Sequence, residues 1–366
     1  MKLETIEFIM KIGIVTQPLH NNYGGLLQNF ALQQVLKRLG HEPKTIDFVV
    51  CISFTRYLLS TCKQLLISVL KCRRPQIRPY VAIPAFRNTI MAEFVNNHID
   101  RTRIVHSYTK KIVSEEHFDA VISGSDQVWR PIYNRYIEDM FLKFVPNSIK
   151  KIAYAASFGV DTWEYNAKLT KRCAKQAKRL DAISVREATG VELCRTHLGV
   201  NAEHVLDPTI LAGSEAYKPL LKEKTEEQDY LFAYILDITP YKLAYVESMA
   251  KSKGLRVIIE SAEKNATLSV ENWLSMIANA SMVVTDSFHG TVFSILFHTD
   301  FYTIVNVDRG GSRFASLLNP LGLEKRFGDL SQLQSIKNNI INWDEVGNIL
   351  DIQRNISMNF LSNALH

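Results

Sequence analysis

The sequence predicts an α/β protein with two doubly wound domains that face each other across a cleft. Short apolar runs alternate with segments whose apolar residues recur every three or four positions, a pattern typical of βα units in parallel sheets. The length of 366 residues exceeds one ordinary core and indicates two domains. The composition, 46% hydrophobic and 22% charged, is that of a folded globular protein.

The first βα unit is predicted near the N-terminus. Lys11 to Thr16 is a predicted strand, and a polar turn leads from it to two glycines and a long amphipathic helix. Asn22, Gly24 and Gly25 lie in this turn, where glycine lets a ligand approach the backbone. The turn lacks the G-x-G-x-x-G pattern of dinucleotide sites. It is therefore a candidate for binding a sugar or a phosphate group.

We predict a domain boundary after residue 207. Residues 1–207 form the first predicted domain, and a mainly helical insertion that contains three prolines occupies about residues 51–104. The second predicted domain covers residues 208–345, with strands near residues 230–236, 256–260, 282–285 and 301–305. Residues 346–366 contain an apolar helix, which is a candidate to cross back to the first domain.

Polar and aromatic side chains follow a predicted strand of the first domain. The apolar run from Phe118 to Ser123 ends in a glycine turn that carries Asp126, Gln127 and Trp129. An acid, an amide and an indole close together are typical of ligand pockets. Since the carboxyl ends of parallel strands face the ligand crevice of an open α/β sheet, this turn is a candidate binding segment.

Two further candidates follow predicted strands. Arg186 can form a bidentate contact with a carboxylate or phosphate, although a salt bridge with Glu187 or a helical neighbour is the simpler explanation of its position. Ser287 and His289 lie in the turn after Met282 to Thr285, beside a helix N-terminus that suits an anion. His289 can exchange a proton near neutral pH, or it can be the histidine of a capped turn that only binds a carbonyl.

Composition excludes several functional classes. Glu4 and Glu7 precede any apolar run, which fits neither a secretory signal nor a transit peptide and favours a cytoplasmic protein. The formal charge of +6 is spread along the chain and gives no indication of nucleic-acid binding. The cysteines are odd in number and lack a C-x-x-C pair, so we predict reduced, structural thiols and no metal site at Cys51, Cys62, Cys72, Cys173 and Cys194.

One apolar segment of the insertion has a basic end. Tyr57 to Leu70 is too short to span a membrane, and Lys71, Arg73, Arg74 and Arg78 follow it. Such a helix can lie on the anionic inner face of a membrane, which predicts peripheral contact. The simpler interpretation is a helix that packs on its own domain and has a solvated basic end.

Six motifs together resemble the polysaccharide pyruvyl transferase family. The resemblance extends from Ile12 to about Leu323. It implies a two-domain fold of the GT-B glycosyltransferase type and transfer of a pyruvate unit from phosphoenolpyruvate to a sugar of a surface glycan, often as a cyclic ketal. The motifs are Asn22-Tyr23-Gly24-Gly25-Leu26-Leu27-Gln28, Ser123-Gly124-Ser125-Asp126-Gln127-Val128-Trp129, Tyr154-Ala155-Ala156-Ser157-Phe158-Gly159, Ser184-Val185-Arg186-Glu187, Leu206-Asp207-Pro208-Thr209 and Thr285-Asp286-Ser287-Phe288-His289-Gly290.

The resemblance assigns expected roles to the candidate residues. His289 and Asp126 are the expected catalytic groups, since ketal formation needs proton transfer. The expected donor site, for phosphoenolpyruvate, comprises Arg186, Ser287, Arg309 and Arg313. The expected acceptor site, for a glycan carried on a membrane lipid, comprises Asn22, Gly24, Gly25, Gln127 and Trp129. No separate cofactor and no metal are expected.

Two other functions stay open at this point. The same two-domain fold supports a glycosyltransferase that uses a nucleotide sugar, and a thermal-shift comparison of phosphoenolpyruvate with a nucleotide separates the two. A non-catalytic protein that binds glycan or phosphate can also retain such a pocket. The presence of Arg186 and His289 together argues against this second alternative.

Overall fold

The computed structural model of the protein describes residues 9–19, 22–50, 54–70, 89–223, 229–261, 266–305, 311–335 and 340–366. Within these ranges the chain forms two wholly parallel sheets that are flanked by helices. The predicted fold of two doubly wound domains is therefore confirmed. Across the described helices, none combines the length and the apolar character needed to cross a membrane.

The first sheet has six strands in the order β2-β1-β3-β4-β5-β6. The second has five, in the order β11-β10-β9-β7-β8. The first sheet consists of β1 Lys11–Val15, β2 Glu42–Thr45, β3 Ala120–Ser123, β4 Lys150–Ala156, β5 Ala182–Val185 and β6 Glu203–His204. The second consists of β7 Tyr230–Ile235, β8 Arg256–Ser261, β9 Met282–Thr285, β10 Phe301–Ile304 and β11 Phe327–Gly328.

Both sheets reverse their strand order at one point. The direction of winding changes between β1 and β3 in the first sheet and between β7 and β9 in the second. In open α/β sheets, ligands bind outside the carboxyl ends of the strands at such a switch point. The topology alone therefore marks one loop cluster in each domain as a candidate site.

The helices alternate with the strands. Those of the first half of the chain are α1 Tyr23–Arg38, α2 Phe54–Leu70, α3 Thr89–His98, α4 Lys110–Glu115, α5 Ile137–Met140, α6 Ala167–Ala177, α7 Ala188–Leu193 and α8 Pro208–Ala212. Those of the second half are α9 Pro240–Lys253, α10 Val270–Ala278, α11 Phe288–Leu296, α12 Ser312–Leu318, α13 Leu330–Ser335 and α14 Trp343–Leu365. Helices α2 and α3 occupy the predicted insertion, whose three prolines lie outside the described residues.

Alternate residues of the central strands enter different cores. Ile12 and Ile122 face a large core that also contains residues of the second domain, whereas Val121 and Ala153 face a core confined to the first domain. A strand buried on both faces is a continuous apolar run, which is why these strands were recognisable. The second strand, β2, ends at Thr45, and an isolated bridge between Phe48 and Val105 lies beyond it.

The large core joins the two domains. Tyr23, at the start of α1, stacks on Trp273 of the second domain with ring centroids 5.0 Å apart. Its hydroxyl donates to the Leu268 carbonyl at 2.8 Å and to a buried Glu260 carboxylate oxygen at 3.1 Å. Hydrogen bonds to a charged, buried acceptor are among the stronger ones in proteins. They fix the N-terminus of α1 against the second domain.

The last helix packs on the first domain. The Phe360 ring lies against Tyr154 of β4, and the Ser357 hydroxyl accepts a hydrogen bond from the Leu206 backbone N–H at 2.9 Å. Lys150 donates to the Leu365 carbonyl at 2.9 Å. Helix α14 thus leaves the second sheet and covers strands of the first, while the boundary after residue 207 stays a prediction.

Candidate functional site

A small cavity of about 60 Å³ lies where the two switch points meet. Its walls come from the loop after β3, the loop after β7, and the turn between β9 and α11. Residues from both domains therefore complete one site. The lining residues are Asn22, Asp126, Gln127, Tyr234, Leu236, Asp286, Ser287, Phe288, His289 and Arg313.

The turn after β9 is held by its own polar side chains. Ser287 is the N-cap of α11 and accepts a hydrogen bond from the Gly290 backbone N–H at 3.3 Å. The buried Asp286 carboxylate accepts from the Leu236 backbone N–H at 2.6 Å and pairs with Lys242 at 2.7 Å. Asp286 thereby ties the loop after β7 to the start of α11. This explains why the capping residues of the turn face the cavity.

His289 lies between the two domains. Its ring packs against Gly24 so closely that a Cβ atom at residue 24 would overlap the Nδ1 atom. Its Nε2 atom is buried, has no hydrogen-bond partner, and lies 3.9 Å from an Asp207 oxygen. Burial, aided by the charges of Arg186 and Arg313, lowers the pKa of His289 below its ordinary 6.5, although Asp207 and Asp126 act in the opposite direction. The imidazole is therefore neutral at neutral pH.

Asp207 is a site residue that sequence reasoning missed. It belongs to one of the six motifs but was given no role, although an acid before Pro208 at a strand end is a recognisable N-cap signal. One carboxylate oxygen accepts from the Thr209 N–H at 2.9 Å, and the other accepts from Ser125 at 2.9 Å and from Arg186 at 2.6 Å. Burial alone raises the pKa of Asp207, but Arg186, His289 and Thr209 outweigh it, and the pKa falls to about 2.

Arg186 lies one layer behind the cavity wall. Its guanidinium covers the Phe288 ring at 4.7 Å from the centroid and pairs with Asp207. The proposed salt bridge with Glu187 is therefore wrong, because the paired acid comes from 21 residues further along the chain. The Nη2 atom lies 3.6 Å from Asp126, and Nε and Nη2 have no hydrogen-bond partner. Arg186 thus pairs with Asp207, lies close to Asp126, and has two buried nitrogens without a hydrogen-bond partner.

Glu187 has a different task. Its Oε1 atom accepts hydrogen bonds from the Ser157 hydroxyl at 2.9 Å and from the backbone N–H groups of Phe158 and Gly159 at 2.9 and 3.1 Å. The carboxylate therefore shapes the loop after β4. Hydrogen bonds from backbone N–H groups to an ionised carboxylate are strong, so one acid can hold the loop in place.

Of the two arginines proposed after β10, Arg313 lines the cavity. Its guanidinium lies 5.7 Å from the Phe288 ring centroid, on the same ring as Arg186. Burial and the neighbouring charge of Arg186 lower the pKa of Arg313 to about 10, so the group stays cationic at neutral pH. Arg309 lies outside the described residues.

Asp126 occupies a strained position at the cavity. Its φ angle of 69° lies in the left-handed region, which costs a residue with a side chain about 1 kcal/mol or more. Its carbonyl accepts from the backbone N–H groups of Val128 at 2.7 Å and Ser157 at 3.1 Å, which hold the turn. Backbone strain of this kind collects at functional sites because surrounding contacts can enforce it.

The predicted acceptor residues separate in the structure. Asn22 and Gln127 line the cavity, and Asn22 also caps α1 by accepting from Gly25 at 3.2 Å. Gly24 supports His289, whereas Gly25 does not line the cavity. The assignment of Trp129 needs correction, because its indole is fully buried, stacks on Phe141 at 4.4 Å and donates to the Met140 carbonyl. An indole with that much core contact has no free face for a ligand.

Metal binding has no support in the part of the chain that the structure describes. No group of three histidine, cysteine, aspartate or glutamate side chains there is arranged to hold an ion. The carboxylates at the site are instead engaged by arginine, lysine, hydroxyl and backbone donors. The polar chemistry that the described residues offer is proton transfer and anion binding.

A cavity between two doubly wound domains, with polar groups from both, defines a two-domain α/β protein with a candidate ligand site in its interdomain cleft. Residues 22–309 match the family described as polysaccharide pyruvyl transferase. Because this match covers most of the chain, the protein belongs to the polysaccharide pyruvyl transferase family and is a transferase. A search of curated proteins found no match.

Solved structures with similar folds are distant in sequence. The UDP-GlcNAc 2-epimerase from Methanocaldococcus jannaschii is 10% identical, with 94% of this chain and 93% of that chain covered and a TM-score of 0.49. A putative UDP-N-acetylglucosamine 2-epimerase from Listeria monocytogenes is 9% identical, with 97% and 91% covered and a TM-score of 0.48. The enzyme from Neisseria meningitidis bound to UDP-GlcNAc is 8% identical, with 97% and 99% covered and a TM-score of 0.47.

Gly24→Ala is expected to displace His289 and to abolish most turnover, because the added methyl group overlaps the imidazole. The matched control is Gly25→Ala, whose Cβ atom would meet Asn22 at an ordinary 3.5 Å. Histidine ring NMR signals and turnover measure the two variants side by side. Equal behaviour of the two alanine variants would show that residue 24 does not position the ring.

Arg186→Met is expected to destabilise the fold by about 3–5 kcal/mol, because it leaves the Asp207 charge buried and uncompensated. Arg186→Lys should destabilise the fold less than Arg186→Met, because the ammonium keeps a positive charge near Asp207. Some stability should still be lost, because an ammonium cannot both reach Asp207 and cover the Phe288 ring. Urea unfolding measures the series. As a control, Arg195→Met breaks the exposed pair with Glu192 and should change stability little. A similar loss at both arginines would refute the structural role of the buried pair.

Proposed function

We propose that the protein transfers the pyruvate unit of phosphoenolpyruvate to a sugar of a surface polysaccharide or its lipid-linked precursor, forming a cyclic ketal and releasing phosphate. The family membership supports a pyruvyl transferase. The observation that carries the choice of donor is that Arg313, His289 and the N-terminus of α11 share one cavity. A donor with a carboxylate and a phosphate needs a cation, backbone N–H donors and a proton carrier at one place.

The reaction places two demands on the site. The methylene carbon of phosphoenolpyruvate gains a proton, and the adjacent carbon loses its phosphate and forms bonds to two sugar hydroxyls. Of the two hydroxyl protons released, one ends on the new methyl group and the other leaves with the phosphate. We propose that His289 carries the proton that ends on the methyl group. Asp126 lines the same cavity as a second proton carrier. Arg313 stabilises the charge that develops on the departing phosphate.

Arg186 and Ser287 have supporting parts in this proposal. Ser287 caps α11 and keeps its free backbone N–H groups directed at the donor. Arg186 acts through Asp207 and Asp126, which it holds by charge. The acceptor sugar enters past Asn22 and Gln127, on the side of the first domain.

The donor is tested directly by thermal unfolding. Phosphoenolpyruvate is expected to raise the melting temperature, because a ligand that binds only the folded protein stabilises it. UDP should leave the melting temperature unchanged. The reverse pattern would replace this proposal with a glycosyltransferase that uses a nucleotide sugar. Stabilisation without phosphate release on any glycan would favour a non-catalytic binding protein.

His289→Gln is expected to lower turnover by at least about a hundredfold while the fold stays intact. Because the pKa of His289 in the free protein lies below 6.5 and the neutral ring accepts the first proton, kcat/KM should be flat above about pH 7 and fall as the ring is protonated at lower pH. The kcat/KM of His289→Gln should not show this fall at low pH, and its pH dependence should reflect only the titration of the substrate. As a control, His106→Gln alters a histidine that binds the Val49 carbonyl outside the cavity lining. A kcat/KM that rises below pH 6.5 would contradict the base role.

We also propose peripheral contact with the inner membrane face through α2. Among the side chains of α2 that the structure describes, four large apolar ones are exposed. They include Leu59 at 73% and Leu66 at 67%, which are seven residues apart and so lie on one side of the helix. The basic residues that follow lie outside the described residues.

Liposome sedimentation tests this contact. Binding should need anionic lipid, fall with salt, and drop when Arg73 and Arg74 are both changed to glutamate, because each basic residue near such a surface contributes about 1 kcal/mol. A double variant that sediments like the parent would leave α2 as an ordinary surface helix. Delivery of the acceptor would then need another surface.

A further inference from the structure

An exposed tyrosine without an assigned role lies in the loop after β3, which also contributes Asp126 and Gln127 to the cavity lining. Tyr133 is 49% exposed and follows Ile132, which is 64% exposed, in the loop after β3. Large apolar side chains exposed next to each other at a binding cavity are more informative than single ones scattered over a surface. The arrangement of this loop shows why the ring is presented to solvent.

The Arg130 side chain packs against the Tyr133 ring. Its guanidinium lies 5.2 Å from the ring centroid and is itself buried. Two of its nitrogens donate to the Glu164 carboxylate at 3.1 and 3.0 Å, and a third donates to the Gln127 amide oxygen at 3.2 Å. A neutralised, buried arginine with so many contacts is a rigid support, and it lies over the Tyr133 ring while that side chain stays about half exposed.

The same contacts connect the ring to the cavity. Gln127, which receives the Arg130 hydrogen bond, lines the cavity together with Arg313. Asn134 donates to the Gln127 and Val128 carbonyls at 3.1 and 2.8 Å and so closes the loop on itself. The loop is therefore preorganised.

We infer that Tyr133, supported by Arg130, is a stacking platform for a pyranose ring of the acceptor glycan at the mouth of the cavity; this rests on the proposed function. One face of a pyranose carries several C–H groups with partial positive charge, and they are attracted by the negative face of an aromatic ring. The hydroxyls at the ring edge stay available for the cavity. A stacked sugar on Tyr133 would direct its edge past Gln127.

Tyr136 offers a comparison within the same segment. It is also about half exposed, at 46%, and also has an arginine nearby, since the Arg135 guanidinium lies 5.8 Å from its ring centroid. Its ring, however, contacts Phe48 edge-on, and neither Tyr136 nor Arg135 contacts a residue that lines the cavity through a hydrogen bond that the structure records. Exposure and a nearby cation are therefore common to both tyrosines. Tyr133 differs because its supporting arginine, Arg130, is hydrogen-bonded to the cavity residue Gln127.

Saturation-transfer NMR with the methyl pyranosides of glucose, galactose and mannose tests the inference without phosphoenolpyruvate. At least one pyranoside is expected to bind the parent protein through its ring C–H groups. Tyr133→Ala should weaken that binding about tenfold, and Tyr133→Phe and Tyr133→Trp should retain it because the aromatic face remains. Tyr136→Ala is the matched control and should behave like the parent. Unchanged thermal stabilisation by phosphoenolpyruvate in every variant would show that the donor site is intact.

Three results would overturn the platform: pyranoside binding that Tyr133→Ala leaves unchanged, an equal loss in Tyr136→Ala, or no binding of any of the three pyranosides to the parent. These outcomes are separate from the donor test. If phosphoenolpyruvate neither stabilises the parent nor supports phosphate release, the proposed reaction fails, whereas Tyr133-dependent sugar binding would still identify a carbohydrate site. If the donor is confirmed and Tyr133→Ala has no effect, only the platform fails.

Discussion

The site depends on one buried carboxylate. Asp207 caps α8 with one oxygen and accepts from Ser125 and Arg186 with the other, so it connects segments that follow three different strands. A buried charge without such partners would cost several kcal/mol, whereas here hydrogen bonds and a guanidinium compensate it. Because Arg186 in turn covers Phe288, the same pair reaches the turn that carries His289. The position of His289 in the second domain thus depends on a charge buried in the first.

Much of the fold was predictable because its strands are buried on both faces. The runs around Ile12, Ile122 and Val283 are continuous and apolar, and each precedes a glycine or capping turn, so strand and helix starts could be recognised locally. The strand order and the packing of α14 depend on contacts between residues distant in the chain, such as the pairing of Ile12 with Ala120 and the contact of Phe360 with Tyr154. No local pattern encodes such pairings. The insertion was predictable only as helical.

The candidate site was predictable in part. Residues directly after strands, such as Asp126 and His289, were identified because parallel strands end at one edge of a sheet. Asp207 was missed because its charge matters through Arg186, a residue 21 positions away. Trp129 was assigned to the acceptor because it follows a strand together with an acid and an amide, but its side chain fills the core next to Phe141. Sequence separates a core aromatic from an exposed one poorly when both lie in the same loop.

The ion pairs around the cavity also bear on proton transfer. Two buried acids of the site are held in ion pairs, Asp207 by Arg186 and Asp286 by Lys242. Electrostatic catalysis depends on charged groups that are held in place in this way. In this setting burial outweighs the nearby acids and keeps His289 neutral. Under the proposed function, a phosphate that enters beside Arg313 adds negative charge and favours the protonated ring. The donor would then help to convert His289 from an acceptor of the sugar proton into the acid that delivers it to carbon, so one imidazole can serve both steps.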